Sequence, residues 1–348
     1  MIDLTGRASV WEPPPDQARI TTIDLHTAGA PFRAILSGAP ELPGDTILAK
    51  RRWAQKHLEM LRRALMWEPR GHADMYGGVV IPPLSPAADL AVLFLHNDGY
   101  STMCGHGIIA LATLAVETGI VEIVEPETRI GIDTPAGFVE AWVHVDAGRA
   151  GRVRFRNVAS FAAALDQRID VPDLGTVSYD LAFGGAFYAY VDASSLDLVC
   201  DPQDVGRAIE IGRAIKRAIA GSVAIEHPFE VDLGFLYGVV FTGPPTQSGS
   251  YSRNVCIFAD GEVDRSPTGT SVCARLAVHH ARGEIERGQR IVIESVIGTR
   301  FGGTVAETTR FGPYQAVIPE VDGAAFITGR HEFLIDPADP LSAGFLLR

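Results

Sequence analysis

The chain is short of cysteine, of positive charge and of long apolar runs, and each shortage excludes a class of protein. Four cysteines stand among 348 residues: Cys104, Cys200, Cys256 and Cys273. None forms a CxxC pair, and their spacing fits neither a disulfide framework nor a zinc site. Such usage suits a reducing compartment, so a cytoplasmic location is expected. Lysine and arginine total 30 against 42 aspartates and glutamates, a formal net charge of -12. A chain of that sign repels phosphate backbones, which argues against nucleic acid as a partner. No stretch approaches the roughly eighteen uninterrupted apolar residues of a membrane span, so no membrane association is expected. Residues 1–19 carry Glu12, Asp16 and Pro13-Pro14-Pro15 and lack the basic and apolar regions of a secretory signal; they read as a leader. There is no P-loop and no GxGxxG between a strand and a helix. The histidines show no HExxH-type spacing, so neither a cofactor nor a metal is expected.

What is present is an ordinary globular composition, 47% hydrophobic and 21% charged, in a chain long enough for two lobes. Thr21 to Ile35 reads as strand, turn and strand, with Gly29 and Pro31 in the turn. Gly44-Asp45-Thr46 opens a helix in which Ala54, Leu58, Leu61 and Leu65 recur at helical spacing, with Pro69 marking its end. Val79 to Pro82 and Ala91 to His96 read as strands. The loop Gly99 to Gly107 then feeds an apolar helix, which Gly119 is placed to stop. The plan returns in Tyr179 to Asp192, in Gly234 to Thr242, and in the loop from Asp264 that leads into a helix stopped by Gly283.

Two parallels suggest a duplication. Asp24-Leu25 and Gly29-Ala30 align with Asp180-Leu181 and Gly185-Ala186. Cys104-Gly105, Ala110 and Gly119 align with Thr268-Gly269, Ala274 and Gly283. These matches define a first lobe of 20–165 carrying Cys104 and a second of 166–317 carrying Thr268. Residues around Asn157 to Asp173 are the crossover, and 318–348 form a C-terminal segment returning to the first lobe.

Each loop–helix junction sets a short polar residue, Cys104 or Thr268, ahead of a glycine and a helix start. Free N–H groups and the helix dipole favour anions there, and a cysteine so placed is favoured as thiolate. The N–H groups of Gly105, His106, Gly269 and Thr270 can hold a carboxylate from both lobes. That arrangement suits removal of a proton next to a carboxylate, where donors stabilise the developing charge. Cys200, Cys256 and Cys273 are expected to pack in cores or at surfaces.

The segments MCGHGIIAL (103–111) and DRSPTGTSVCARLA (264–277) resemble the paired active-site motifs of the proline racemase family. The resemblance extends to IDLHTAGAPFRAI (23–35), PRGHADMYGG (69–78) and LGFLYGVVFTGPP (233–245). It implies an α/β (α+β) fold like that of diaminopimelate epimerase: two pseudo-symmetric lobes, each a curved sheet around a central helix, with the site between them. It makes Cys104 the first-lobe proton acceptor and His106 and Asp264 the contacts to a ring nitrogen. Gly105, His106, Gly269 and Thr270 become the carboxylate cradle.

The departure from the pattern is Thr268, which stands where two-base members carry a second cysteine. A threonine hydroxyl cannot replace a thiol in racemisation. Cys273, about one and a half turns further along the helix, does not restore the role. The cysteine–threonine pair resembles the branch of the family that dehydrates trans-3-hydroxy-L-proline. The expectation is therefore a cofactor-independent lyase acting on a small hydroxyproline, with no metal and with a homodimer as a compatible assembly. The rival readings are a proline racemase or hydroxyproline 2-epimerase, against which Thr268 argues, and a non-catalytic imino-acid-binding protein, against which Cys104 argues.

Overall fold

The structure, a computed structural model, describes residues 6, 8 and 10–347. The leader expected over 1–19 lies partly outside the described residues. Within its described part, Gln17 donates from Nε2 to Asp336 Oδ2 at 2.9 Å, and the first strand already begins at Ala18. The single helix expected after Thr46 is two. Thr46 caps α1 (Ile47–His57), its hydroxyl accepting from Ala49 N at 3.0 Å. Leu58 then leaves helical geometry at φ -111° and ψ 18°, and α2 (Glu59–Met66) follows. The break is held from outside the helix. The Leu58 carbonyl accepts the Tyr100 hydroxyl at 3.1 Å as well as the Arg62 amide at 2.9 Å. The second helix stops at Met66, before Pro69.

Two further helices organise each half from within. Helix α3 (Gly105–Glu117) is buried along every residue from Gly105 to Val116, as its nearly all-apolar sequence requires. It is wrapped by strands Ala18–Thr27, Ala30–Ser37, Glu127–Thr134, Gly137–Asp146 and Arg149–Arg156. Helix α4 (Val205–Ser222) lies outside the second half. It buries Ala208, Gly212, Ile215 and Ile219, one stripe at helical spacing, against strands Leu236–Gly243 and Ser252–Phe258. Helix α5 (Gly269–Ala281) repeats α3: thirteen residues long, buried from Gly269 to His279, and enclosed by strands Ser160–Val171, Gly175–Phe183, Arg300–Phe311 and Tyr314–Gly323. Each half is thus a curved sheet around an inner helix, with further helices on the outer face.

Seventeen strands among the described residues hydrogen-bond into one network. Strand Tyr314–Gly323 joins the halves, pairing with both Arg149–Arg156 and Ser160–Val171. Strand Ala325–Ile335 lies antiparallel to Ala18–Thr27, and Phe345 N reaches Glu68 O at 2.9 Å. The stretch read as a crossover is mostly strand. From Ser160 to Val171 it pairs with Gly175–Phe183, and Phe161 stacks on Tyr314 with centroids 4.3 Å apart. Aromatic packing within the second half holds this stretch as a strand. The inner residues of α3 and α5 belong to one hydrophobic cluster, so the two halves share a core at the point where the helices start.

Candidate active site

Gly105 and Gly269 bring the two inner helices together head to head. A Cβ on Gly105 would lie 2.7 Å from the Gly269 Cα, and one on Gly269 would lie 2.8 Å from the Gly105 Cα. Only glycine permits this approach. The amides of Gly105, His106, Gly269 and Thr270 are the first of their helices and have no helical carbonyl to bond, so two donor ends converge on one place. Both loops are pinned by polar contacts. Thr102 Oγ1 donates to Gly185 O at 2.7 Å, and Thr27 Oγ1 donates to His106 O at 2.9 Å. In the second half Asp264 Oδ1 accepts from Ser266 N at 2.8 Å and Ser266 Oγ accepts from Thr268 N at 3.1 Å.

The junctions meet in a small, tight cavity lined by all seven residues singled out in the sequence: Cys104, Gly105, His106, Asp264, Thr268, Gly269 and Thr270. The side chains are buried, with Cys104 and His106 4% exposed, Thr268 5% and Asp264 6%. Cys104 caps α3 through its sulfur, which accepts from Gly107 N at 3.2 Å. The His106 nitrogens lie 3.4 and 3.5 Å from that sulfur, and Nδ1 lies 3.8 Å from Asp264 Oδ2. Burial alone would push His106 down. The charges of Cys104 and Asp264 outweigh it and raise the imidazole to about 10. Asp264 is lowered: burial opposes ionisation, but His106 and the Ser266 donors prevail. The result is a cationic imidazole between a sulfur and a carboxylate.

Thr268 is arranged differently. Its backbone sits at φ 67° and ψ 92°, and its hydroxyl caps nothing. That hydroxyl is buried beside the Cys256 sulfur without a well-directed hydrogen bond. Cys256 and Cys273 are driven up by burial, and Cys200 is driven up to about 11, so these three thiols stay protonated near neutral pH. Among the described residues no group of three or more His, Cys, Asp or Glu could hold a metal ion, and no helix is long and apolar enough to cross a membrane.

The rest of the wall is Tyr76, Met103, Tyr188, Tyr237 and Phe258. Tyr76 lies in the motif PRGHADMYGG, which by itself revealed no role, and sequence reasoning missed the other four. Tyr188 bonds to Thr270 Oγ1 at 2.7 Å. The Tyr76 hydroxyl bonds to Ser101 Oγ and lies 3.4 Å from the Tyr237 hydroxyl. Burial raises Tyr76, Tyr188 and Tyr237 well above the usual phenol range. The available signal was tyrosine in largely apolar strand segments, one each in YGGVVI and LYGVVFTG and two in FYAYVD. The motif from His72 to Tyr76 also gains a structural meaning. Asp74 pairs with Arg265 at 2.6 Å and accepts from Val263 N at 3.3 Å, tying the first half to the loop that carries Asp264 and Thr268.

Such a fold and site define a class: two-lobed α/β enzymes that work on the carbon next to a carboxylate with groups from facing helix ends. The chain belongs to the proline racemase family, whose model, described as proline racemase, matches residues 22–346. It is 48% identical over 94% of its length to the trans-3-hydroxy-L-proline dehydratase of Burkholderia cenocepacia (strain HI2424), covering 98% of that protein. It is also 48% identical, over the same shares of both chains, to a 3-hydroxyproline 2-epimerase of Burkholderia multivorans (strain ATCC 17616 / 249). The crystal structure of a hydroxyproline epimerase from Agrobacterium vitis, with trans-4-hydroxy-L-proline bound, superposes with a TM-score of 0.91 at 31% identity, covering 96% of each chain. The two-lobed fold expected from the motifs is the fold of these relatives, and the chain is an enzyme for a small hydroxyproline-like substrate.

Proposed function

We propose that the chain dehydrates trans-3-hydroxy-L-proline to Δ1-pyrroline-2-carboxylate, and that Cys104 is its proton acceptor. The observation that carries the reading is the pairing of one thiol, at the start of α3, with a threonine at the equivalent start of α5. Racemisation or epimerisation needs a proton delivered to the face opposite the one that lost it, and a threonine hydroxyl is too weak an acid for that. Dehydration needs no second base. In the trans-3-hydroxy compound the hydroxyl lies across the ring from the carboxylate and so shares a face with the α hydrogen.

The substrate carboxylate sits on the amides of Gly105, His106, Gly269 and Thr270, which also stabilise charge as the α carbon is deprotonated. Asp264 and His106 meet the ring nitrogen, with Asp264 accepting its proton as a charge-assisted hydrogen bond. Cys104, as thiolate, removes the α hydrogen; the C3–O bond breaks on the same face; Thr268 orients the ring. The enamine then tautomerises to the cyclic imine. No metal and no cofactor takes part. Protonated, unpaired thiols fit a reducing cytoplasm as the site of action.

Most of the similar relatives carry the dehydratase name, and the epimerase named among them is also named for 3-hydroxyproline. The test is to incubate the protein in D₂O with trans-3-hydroxy-L-proline, trans-4-hydroxy-L-proline and L-proline and follow each by NMR. Loss of the 3-hydroxy compound to a cyclic imine, with the others unchanged, is the expected result. Deuterium entering the α position with inversion would replace this reading with the epimerase one. Binding without any turnover would leave a non-catalytic protein.

A further inference from the structure

The α hydrogen has an acceptor in this site, and the departing hydroxyl needs a proton donor as well. The wall beside Cys104 supplies one. Tyr76 lies at the start of strand Tyr76–Ile81, and its ring meets the His106 ring edge-on, with centroids 4.9 Å apart. The same His106 touches the Cys104 sulfur. Tyr237 arrives from the other half, on strand Leu236–Gly243, and its hydroxyl stands 3.4 Å from that of Tyr76. Ser101, fully buried, bonds to the Tyr76 hydroxyl from the loop that leads to Cys104. The third tyrosine, Tyr188, has its hydroxyl committed to Thr270 at the start of α5, and its ring stands edge-on to Tyr237 with centroids 5.9 Å apart. The hydroxyls therefore differ in partner: the Tyr76–Tyr237 pair is tied through Ser101 to the loop that leads to Cys104, while Tyr188 is tied to the start of α5.

We infer that the Tyr76–Tyr237 hydroxyl pair, held by Ser101, receives the 3-hydroxyl of the substrate as it leaves and supplies the proton that turns it into water. The inference rests on the dehydration reading, since only a leaving oxygen on the Cys104 face needs such a donor. Hydroxide is a poor leaving group, and a positioned acid typically contributes roughly 10²–10⁴-fold to its departure. The step balances. The Cys104 thiolate takes the α hydrogen and becomes a thiol. The C–H electron pair is first held as a carbanion stabilised through the carboxylate on its amides, and then forms the new ring double bond as the C3–O pair leaves with oxygen. Oxygen takes the phenol proton and departs as water. The thiol proton then returns to the phenolate, restoring the starting thiolate and phenol.

His106 is a weaker candidate for the same task despite its charge. Both its ring nitrogens lie against the Cys104 sulfur and Nδ1 faces the Asp264 carboxylate, so a proton given from it would leave that buried carboxylate without its cation. Burial keeps Tyr76 and Tyr237 protonated until a base as strong as a departing hydroxide is formed against them.

A substrate whose leaving group needs no proton separates this role from packing. Tyr76→Phe and Tyr237→Phe are assayed with trans-3-hydroxy-L-proline and with trans-3-chloro-L-proline, from which chloride departs unprotonated. Tyr76→Phe is expected to lower turnover of the hydroxy compound about 100-fold, with chloride elimination within about threefold of the parent enzyme. Hydroxy substrate recovered from D₂O gains α deuterium, because Cys104 still removes the proton. Ser101→Ala is expected to follow the same pattern with a smaller loss, and intact chloride elimination certifies that each variant is folded. An equal fall with both substrates, or no fall with either, overturns the proposal. Failure of the dehydration reading itself looks different: the unmutated enzyme then forms no imine from the hydroxy compound.

Discussion

The starts of α3 and α5 occupy equivalent places and touch through their glycines, yet the residue ahead of each glycine is handled in opposite ways. Cys104 has extended backbone at φ -145° and turns its sulfur onto the helix it precedes, accepting from Gly107 N at 3.2 Å. Thr268 is held at φ 67°, a left-handed conformation that a β-branched residue rarely adopts, and its buried hydroxyl has no directed partner. Holding a residue there costs on the order of 1–3 kcal/mol, which the surrounding loop must offset. The Ser266 hydroxyl, accepting from Thr268 N, and the Asn254 amide, donating to Pro267 O at 3.3 Å, do so. The two helix starts are similar scaffolds, each opening on a glycine after a short polar residue. One holds a sulfur on a helix dipole, the other an uncharged hydroxyl that caps nothing. A reaction confined to one face of a ring needs that inequality.

The largest way to break the comparison is Cys104→Ser. Serine is a good N-cap, so the helix keeps its start and the melting temperature is expected to stay close to that of the parent. The base is gone, and dehydration of trans-3-hydroxy-L-proline is expected to fall roughly 10³-fold or more. The mirror change, Thr268→Ser, keeps a hydroxyl and relieves β-branching. Its activity is expected within about tenfold of the parent, equivalent to about 1.4 kcal/mol in the barrier. Steady-state assays with thermal melts on both variants check the pair. Comparable losses would show that the two junctions are equivalent after all.

Thr268→Cys removes the inequality instead of testing each side alone. It sets a thiol at the second helix start, where the amides of Gly269 and Thr270 stabilise a thiolate. Exchange of the α hydrogen from the second face, seen as inverted, deuterated product from trans-4-hydroxy-L-proline, is expected to appear at a low rate. Dehydration is expected to drop by only about tenfold. Absence of any exchange from the second face would mean that the backbone at 268 points its side chain away from the α carbon.

How much of this was legible before the structure follows from what each feature depends on. The two junctions were readable because cysteine or threonine, glycine and an apolar run are adjacent in sequence, and helix starts are made by neighbours. All seven motif residues line one cavity for that reason. The tyrosines were not readable as a group. Tyr76 and Tyr237 meet only because strands from different halves abut, and nothing local in YGGVVI or LYGVVFTG distinguishes a cavity phenol from a core one. The break at Leu58 depends on a hydroxyl forty-two positions away. The strand Ser160–Val171 depends on partners from both neighbouring hairpins. Side-chain contacts across the chain decided these features, and periodicity carries no trace of them.

The finest probe of the comparison is the proton on His106, because that ring senses the sulfur of one junction and the carboxylate from the loop before the other. Burial lowers its affinity for a proton, while the Cys104 charge and the Asp264 contacts raise it, to about 10 against an ordinary value of 6.5. A group held above its unfolded value favours the folded state while protonated. Its contribution to stability is therefore fully present below pH 6.5 and is lost as pH rises through about 10. Ring ¹⁵N NMR should find the His106 nitrogens protonated throughout neutral pH and titrating near 10. Removing one anion, in Cys104→Ala or Asp264→Asn, should bring the midpoint down, and removing both should leave burial in command and take it below the ordinary histidine range. A midpoint near 6.5 in the unaltered enzyme would mean that the sulfur and the carboxylate do not act on His106 together. The two helix starts would then share a backbone contact but no electrostatic one.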